Sequence, residues 1–260
     1  MNDYGKNSPL SYNSYLKVRE LTALQESQSK PAQHDEMLFI TIHQTYELWF
    51  KQILHEIDRA LALLADNRIY LATRSMRRVN EIEKILANQI VILETMTPHD
   101  FLLFRDELKP ASGFQSSQFR EIEFASGAKN ERVLENFQAD EFASARLKKR
   151  FAAPTLYDLF FDKLRRKGFD VSDEAAKIRS VVVILSNYED HADLFELQET
   201  LIEHDELVAF WRNNHVLMVE RMLGTKQGTG GSAGANYLRS TLNNRFFPEL
   251  WEARTLLEIK

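Results

Sequence analysis

Residues that break helices are scarce in this chain and unevenly placed. Neither glycine nor proline occurs within 32–97 or 169–223, and the 260 residues contain only 9 Gly and 6 Pro. Average usage of roughly 7% and 5% would give about 18 and 13. A β-sandwich or barrel needs turn residues about every 8–12 positions. The chain is therefore predicted to be all-α, with long helices.

Five of the nine glycines are concentrated between Gly224 and Gly234. The segment GTGGSAG (228–234) lacks the GxxxxGK[ST] order of a nucleotide-binding loop, and no predicted strand precedes it. One interpretation is a flexible connector between two helices. The other is that consecutive backbone N–H groups around Thr229 form a nest that binds a carboxylate or a propionate.

Charge balance and cysteine content exclude several classes of protein. The 33 Lys and Arg residues are outnumbered by 38 Asp and Glu residues, which gives a net charge of −5 and no basic footprint for nucleic acid. No apolar run approaches the ~20 residues that span a bilayer, and MNDYGKNSPLSYNSYL does not resemble a secretory signal. Without cysteine, a metal must be bound by His or carboxylates. We expect a cytoplasmic protein that binds neither nucleic acid nor membrane.

Apolar residues spaced by three and four positions predict the helices. The strongest stripe runs from Leu38 to Leu64, after an acidic first turn, and a second runs from about Leu71 to Met96. Further helices are expected over 12–26, 98–108, 114–125, 155–166, 173–202 and 204–223, and from 235 towards the C-terminus. Residues 1–11 are expected to form a flexible arm, and 126–153 a charged excursion or short helices, all within a single domain spanning 1–260.

The seven histidines fall into two groups. Five are interpreted as solvated or capping residues, because four lie beside acidic residues near predicted helix ends and one faces away from an apolar stripe: His34, His99, His191, His204 and His55. His43 shares a helix flank with Phe39, and His215 lies one turn after Trp211. Spacing alone does not decide whether His43 and His215 are core residues or functional ones.

Four long segments, taken in series, resemble the tryptophan 2,3-dioxygenase family. They are SYNSYLKVRELTALQ (11–25), HDEMLFITIHQTYELWFKQILHEID (34–58), TMTPHDFLLFRDELKPASGFQSSQFREIE (95–123) and HVLMVERMLGTKQGTGGSAGANYLRST (215–241), and RFFPELWEART (245–255) adds to them. The resemblance implies an all-α homotetramer with haem b held between helices. It also implies insertion of both atoms of O₂ into the indole C2–C3 bond of L-tryptophan, which gives N-formyl-L-kynurenine.

The resemblance assigns three residues to the haem. His215 matches the proximal ligand of the iron, Trp211 matches an aromatic residue packed near that ligand, and Ser112 matches a serine on the distal side. Imidazole is a standard proximal ligand, so a chain without cysteine can bind haem in this way.

The resemblance assigns a second set of residues to the substrate. His43 matches the residue that meets the indole N–H, and it is interpreted as an orienting hydrogen-bond acceptor. Phe39 and Phe101 match the aromatic walls, while Arg105 and Thr229 match the groups that bind the amino-acid head.

The N-terminal region is implied to act between subunits. Tyr12 and Tyr15 match a segment that completes the pocket of a neighbouring subunit, so residues 1–30 are expected to make intersubunit contacts. Three alternatives remain open: a related oxygenase that acts on a substituted tryptophan, a haem-binding protein without turnover, and a helical scaffold without a cofactor.

Overall fold

The computed structural model describes residues 10–226, 229 and 234–258. Throughout those residues the regular secondary structure is helical, and no β-strand occurs in them. The all-α prediction is confirmed. The predicted arm at 1–11 lies almost wholly outside the described residues, as do Gly228, Gly230 and Gly231 of the glycine-rich segment.

The helices of the described ranges follow one another in a fixed order along the chain. They are α1 (Tyr12–Leu16), α2 (Val18–Leu21), α3 (His34–Ala65), α4 (Ile69–Leu93), α5 (Pro98–Leu102), 3₁₀ helices at Arg105–Leu108 and Gly113–Gln115, α6 (Ser117–Ser126), α7 (Arg132–Glu135), α8 (Glu141–Ala152), α9 (Leu156–Arg166), α10 (Glu174–Ser186), α11 (Ala192–Leu223), α12 (Ala235–Ser240) and α13 (Pro248–Thr255). None of them is both long enough and apolar enough to cross a membrane.

The three longest helices form the centre of the molecule. Helix α4 packs against α3 on one side and α11 on the other. The predicted stripe of α3 is buried in this contact, with Ile57 and Leu64 fully enclosed, and α4 contributes Met76 and Val79. These side chains belong to the main apolar core. Two walls of the candidate site are therefore built on long, well-packed helices.

The shorter helices begin where the sequence provides capping residues. Thr97 accepts a hydrogen bond from the backbone N–H of Asp100 at the start of α5, and Pro98 occupies the first turn. Thr155 and Asp158 form a capping box at α9. The boundaries predicted at 98 and 155 are confirmed within a residue.

Several predicted boundaries are wrong where no glycine or proline marks the break. The helix expected over 12–26 is interrupted at Lys17, whose φ is +53°, and it ends at Leu21. The helices expected over 173–202 and 204–223 are separated at 187–191, so α11 runs unbroken through His204. Residues 126–153, expected as a charged excursion or short helices, contain the short helices α7 and α8, and α8 packs in a small apolar cluster.

The prediction of a solvated His204 is wrong. Its side chain is fully buried between α4, α6 and α11. Its Nδ1 lies 2.8 Å from Glu83 Oε1, and its Nε2 lies 2.9 Å from Ser126 Oγ. A polar side chain in this position is retained because both of its nitrogens find partners. Sequence reasoning missed the site because Glu83 and Ser126 are distant in the chain.

The hydrogen-bond partners of His204 indicate where its protons lie. Ser126 Oγ also lies 2.8 Å from the carbonyl oxygen of Ile122. A carbonyl only accepts, so the single hydroxyl proton of Ser126 goes to Ile122, and the hydroxyl accepts from His204 Nε2–H. A further proton lies between Nδ1 and the Glu83 carboxylate. Burial lowers the pKa of His204, but the charge of Glu83 and the hydrogen bond between the two side chains outweigh burial and raise it. Burial also raises the pKa of Glu83, so His204 and Glu83 share one buried proton.

The other four histidines of the first group are exposed or half-buried. His34, His55 and His99 are exposed, as predicted, and His34 Nδ1 lies 2.7 Å from Asp35. His191 is half-buried at the start of α11, where its ring packs edge-on against Phe169.

Candidate active site

A cavity of about 280 Å³ lies between α3, α5, α6, α11 and α12. Eight of the predicted site residues line it: Phe39, His43, Phe101, Arg105, Ser112, Trp211, His215 and Thr229. They come from five separate parts of the chain. Most of the other lining residues are apolar, as in the usual ligand cavity with a few polar groups.

His43 presents one nitrogen to the cavity. Its Nδ1–H donates to the carbonyl oxygen of Phe39, one turn earlier on α3, at 2.7 Å. Because that carbonyl cannot donate, the neutral ring carries its proton on Nδ1 and leaves the Nε2 lone pair free. Burial lowers the pKa of His43, against opposing contributions from the Phe39 carbonyl and Glu47. His43 is therefore a neutral hydrogen-bond acceptor.

Three phenylalanine rings form an aromatic wall beside His43. Phe39 and Phe101 are stacked at 5.7 Å between centroids, and Phe104 meets both of them edge-on. The His43 ring packs 4.1 Å from Phe39. Phe104 is fully buried behind the wall, so it supports the other two rings. A flat apolar surface of this kind suits a planar aromatic ligand.

Arg105 and Ser112 lie in short elements between α5 and α6. Arg105 begins the first 3₁₀ helix, and its side chain is 11% exposed. Ser112 caps the second 3₁₀ helix by accepting from the Phe114 N–H. Gly113, which follows, also lines the cavity, and no atom lies within 4 Å of the position a Cβ would take there. The backbone is thus open to the cavity at this point.

Thr229 meets the same short segment from the glycine-rich side. Its hydroxyl donates to the carbonyl oxygen of Ala111 at 2.6 Å. Gly224 ends α11 with φ +59° and ψ −127°, and Gly234 precedes α12 with φ +61° and ψ −132°. Only glycine adopts this backbone region without strain. These two glycines let the chain leave α11 and return to the cavity wall.

His215 lies on α11 with its imidazole open to the cavity. It makes no hydrogen bond to the described residues. Its ring is nearly parallel to Trp211, with 4° between the planes and 5.7 Å between the centroids. Burial, with a smaller contribution from His43, lowers the pKa of His215 to about 4. A neutral imidazole with a free nitrogen has the form that binds a metal.

The described residues contain no group of three His, Asp or Glu side chains that could hold a metal ion. Tyr46, between the two histidines on the cavity wall, donates from its hydroxyl to the carbonyl oxygen of Leu86 at 3.0 Å. Burial raises the pKa of Tyr46 to about 12, so the hydroxyl stays protonated.

Comparisons with known proteins identify the family of this chain. The family model described as tryptophan 2,3-dioxygenase matches residues 2–167 and 157–257. A tryptophan 2,3-dioxygenase of Nocardioides is 49% identical over 253 residues, which cover 95% of each chain. Another, of Herpetosiphon aurantiacus, is 45% identical over 94% of this chain and 97% of its own. A third, of Exiguobacterium sibiricum, is 40% identical over 95% and 93%.

The chain belongs to the tryptophan 2,3-dioxygenase family. It is a dioxygenase of tryptophan catabolism, and a scaffold without activity is not supported.

The structure adds cavity residues of this dioxygenase that sequence reasoning did not select. They include three thioethers and five charged groups: Met96, Met218, Met222, Glu47, Arg120, Glu123, Arg212 and Lys226. Met218 and Met222 follow His215 by about one and two turns, which was a signal within the sequence. Arg120 and Glu123 had no such signal, because both read as the polar face of a surface helix.

Tyr12 and Tyr15 do not line the cavity of their own chain. They lie on α1 and are 76% and 70% exposed. The segment that follows is fixed to α3 by the buried carboxylate of Glu36, which accepts from the backbone N–H groups of Gln28 and Ser29 and from the Ser29 hydroxyl. In this dioxygenase, α1 and α2 thus precede a segment that is anchored to α3, and α1 exposes its aromatic side chains to solvent.

Proposed function

We propose that the cavity binds haem b through His215 and L-tryptophan beside it. The enzyme then adds both atoms of O₂ across the indole C2–C3 bond to give N-formyl-L-kynurenine. One observation carries this proposal. Two neutral imidazoles, His43 and His215, face one largely apolar cavity, each with a free nitrogen, and the half-buried Arg105 shares that cavity.

The donor set fits a haem. His215 has a nitrogen open to the cavity and a pKa low enough to be unprotonated at neutral pH. Apolar side chains such as Leu93, Val219 and Leu223 supply a surface for a porphyrin. Trp211, parallel to His215, restricts the rotation of the imidazole. When bound, the haem supplies the iron that activates O₂, which a closed-shell indole does not do by itself.

The substrate roles follow from the chemistry of each wall. The planar guanidinium of Arg105 can donate two parallel hydrogen bonds to the amino-acid carboxylate. The Thr229 hydroxyl can bind the ammonium or the carboxylate if it exchanges its bond to Ala111. Phe39 and Phe101 pack against the indole, and Phe101 has no hydroxyl with which to bind polar groups. Polar recognition therefore depends on Arg105 and Thr229.

His43 orients the indole in this proposal. Its free Nε2 accepts a hydrogen bond from the indole N–H, and the Phe39 carbonyl holds the ring in that tautomer. An indole N–H is too weak an acid for efficient deprotonation by a base of this pKa. Ser112, in the short segment opposite α11, is assigned to the distal side of the haem as a hydrogen-bonding neighbour.

We also propose that the active form is a homotetramer and that residues 1–260 form one domain. Tyr12, Tyr15, Leu16 and Leu21 are exposed apolar or aromatic side chains on the first two helices, which is unusual for a free surface. Tyr12 and Tyr15 would complete the cavity of a neighbouring subunit. Light scattering after gel filtration tests the assembly, and Tyr12→Ala with Tyr15→Ala tests the contact. The cysteine-free composition is compatible with a cytoplasmic location.

The decisive experiment uses haem-reconstituted protein reduced under anaerobic conditions. L-Tryptophan and ¹⁸O₂ are then added, and the absorbance and mass of the product are measured. We expect formylkynurenine that carries two labelled oxygen atoms. One labelled atom would indicate the related monooxygenase, and a haem spectrum without product would indicate a non-catalytic haem protein. A preparation that never develops a Soret band would refute the haem assignment.

A further inference from the structure

A second, much smaller cavity lies next to the large one. Its volume is about 10 Å³, and it is enclosed between α3, α4, α6 and α11. Ile53, Ile122 and Val208 line this cavity and not the large one, and none of these side chains is more than 5% exposed. A space of this size holds one small molecule. The core therefore contains a second compartment beside the candidate active site.

Three aromatic rings form the wall between the two cavities. Phe50 on α3, Phe119 on α6 and Trp211 on α11 line both of them. Each ring contacts the other two. The centroids lie 5.6 Å apart for Phe50 and Phe119, 5.0 Å for Phe119 and Trp211, and 6.3 Å for Phe50 and Trp211. Because the same side chains border both cavities, the wall between them is one side chain thick.

The surface of the small cavity is apolar. No polar atom of the described residues reaches that surface, although Glu83 and Trp211 are among the lining residues. The Oε1 atom of Glu83 lies 2.8 Å from His204 Nδ1. A buried water makes about three hydrogen bonds, whereas apolar cavities stay dry and take up apolar guests such as xenon. The small cavity therefore favours an apolar occupant.

One substrate of a dioxygenase has this chemistry. O₂ is small, uncharged and apolar, so its transfer from water to an apolar surface is favourable. L-Tryptophan is far too large for a space of about 10 Å³, and its amino-acid group is charged. Of the two substrates, only O₂ matches the small cavity in both size and polarity.

We propose that the small cavity is a docking site for O₂, from which O₂ enters the large cavity past the rings of Phe50, Phe119 and Trp211. This inference rests on the proposed function, because that function supplies O₂ as a substrate. Docking keeps O₂ one side chain away from the site where it is consumed. The three rings meet at a tilt or edge-on, and none of them is stacked face to face on another.

The first test uses krypton as the probe, because krypton is apolar, close to O₂ in size and located by its anomalous scattering. Crystals of the native protein under krypton pressure should show an atom between Phe119, Ile122 and Val208. Val208→Ile fills part of the cavity and should lower the krypton occupancy by about fourfold, the factor equivalent to one buried methylene group. Val208→Ala enlarges the cavity and should raise the occupancy. This measurement does not require haem.

The second test measures initial rates of the haem-loaded enzyme at saturating L-tryptophan and varied O₂. In Val208→Ile, kcat/KM for O₂ should fall by about fourfold, in proportion to docking. The KM for L-tryptophan should stay unchanged. Val181→Ile is the matched control, because it adds the same methylene group to a fully buried valine of α10 that lines neither described cavity. It should keep the native krypton occupancy and the native kcat/KM for O₂.

The proposal would be overturned if an ordered water, bound to the buried Oε2 of Glu83, occupied the cavity instead of krypton. Krypton binding with an unchanged kcat/KM for O₂ in Val208→Ile would show that O₂ does not pass through this cavity. Equal losses of kcat/KM for O₂ and for L-tryptophan would indicate a general packing defect. If Val208→Ile does not fold, Val208→Ala must still bind more krypton than the native protein, and equal binding overturns the proposal. Absence of formylkynurenine with the native enzyme would instead contradict the proposed function, whatever the krypton occupancy.

Discussion

Two histidines on helix α11 illustrate how one residue type acquires different roles. His204 is fully buried with both nitrogens hydrogen-bonded, to Glu83 and Ser126, and its pKa is raised. His215, about three turns later, has no hydrogen bond to the described residues, and its pKa is lowered to about 4. Both are removed from bulk water. Glu83 makes the difference, because it shares a buried proton with His204, whereas His215 has no such partner among the described residues and is a neutral candidate ligand.

His43 is the intermediate case. One of its nitrogens is occupied by the Phe39 carbonyl, and the other is free. The number of free imidazole nitrogens therefore increases from His204 to His43 to His215, and the predicted functions follow the same order: packing, orientation and metal binding. Substitution at each of the three positions tests this relation between free nitrogens and function.

The largest effect is expected at His215. The His215→Ala protein should purify without haem, because the substitution removes the side chain proposed to bind the iron. The Soret absorbance of haem-supplied protein measures this. A retained band with native extinction would contradict the assignment, and restoration of the band by added imidazole would strengthen it.

The next largest effect is expected at His204. Here the substitution should lower the free energy of unfolding, and it should leave the haem content unchanged. His204→Ala leaves the Glu83 side chain buried without its partner, and removal of one partner from a buried pair costs about 3–5 kcal/mol. Urea unfolding of the haem-loaded enzyme measures the loss. His55→Ala, at an exposed position on α3, is the control and should unfold as the native protein does. A change below about 0.5 kcal/mol, the range of ordinary surface substitutions, would show that the pair is unimportant.

A smaller effect is expected at His43. His43→Ala removes the hydrogen-bond acceptor for the indole and leaves Arg105 and Thr229 in place. Turnover should fall by about tenfold to a hundredfold, at or below the low end of the roughly 10²–10⁴-fold contribution of groups that transfer a proton. Steady-state kcat and KM at matched haem content measure this. Complete loss of activity would indicate that His43 is a required base.

The smallest effect is the pH dependence of stability. The folded pair holds a proton that an unfolded histidine, with a pKa near 6.5, releases as the pH rises. The stabilisation is therefore complete below about pH 6.5 and declines above it, by at most about 1.4 kcal/mol per pH unit. Unfolding free energies of the native protein and His204→Gln at several pH values should converge as the pH rises. A difference independent of pH would contradict a proton shared by His204 and Glu83.

The positions of α3 and α4 and eight of the cavity residues could be predicted from the sequence. Apolar spacing predicts α3, and the Thr97-Pro98 cap predicts the start of α5. The break between α10 and α11 could not be predicted in this way, because 187–191 contains no glycine or proline. Packing against α4 keeps α11 continuous through His204. This contact cannot be inferred from the helix propensities of the local sequence.

The sequence by itself determined the helical class, through the distribution of its glycines and prolines, and the candidate site residues, through four segments with a specific family resemblance. Only the tertiary structure decided which histidines are buried, which nitrogens are free and which cations have partners. Those properties depend on contacts such as His204–Glu83 and Arg212–Glu123, between residues far apart in the chain. A local pattern can place a side chain on a helix face, but its charge state depends on the groups that the fold brings to it.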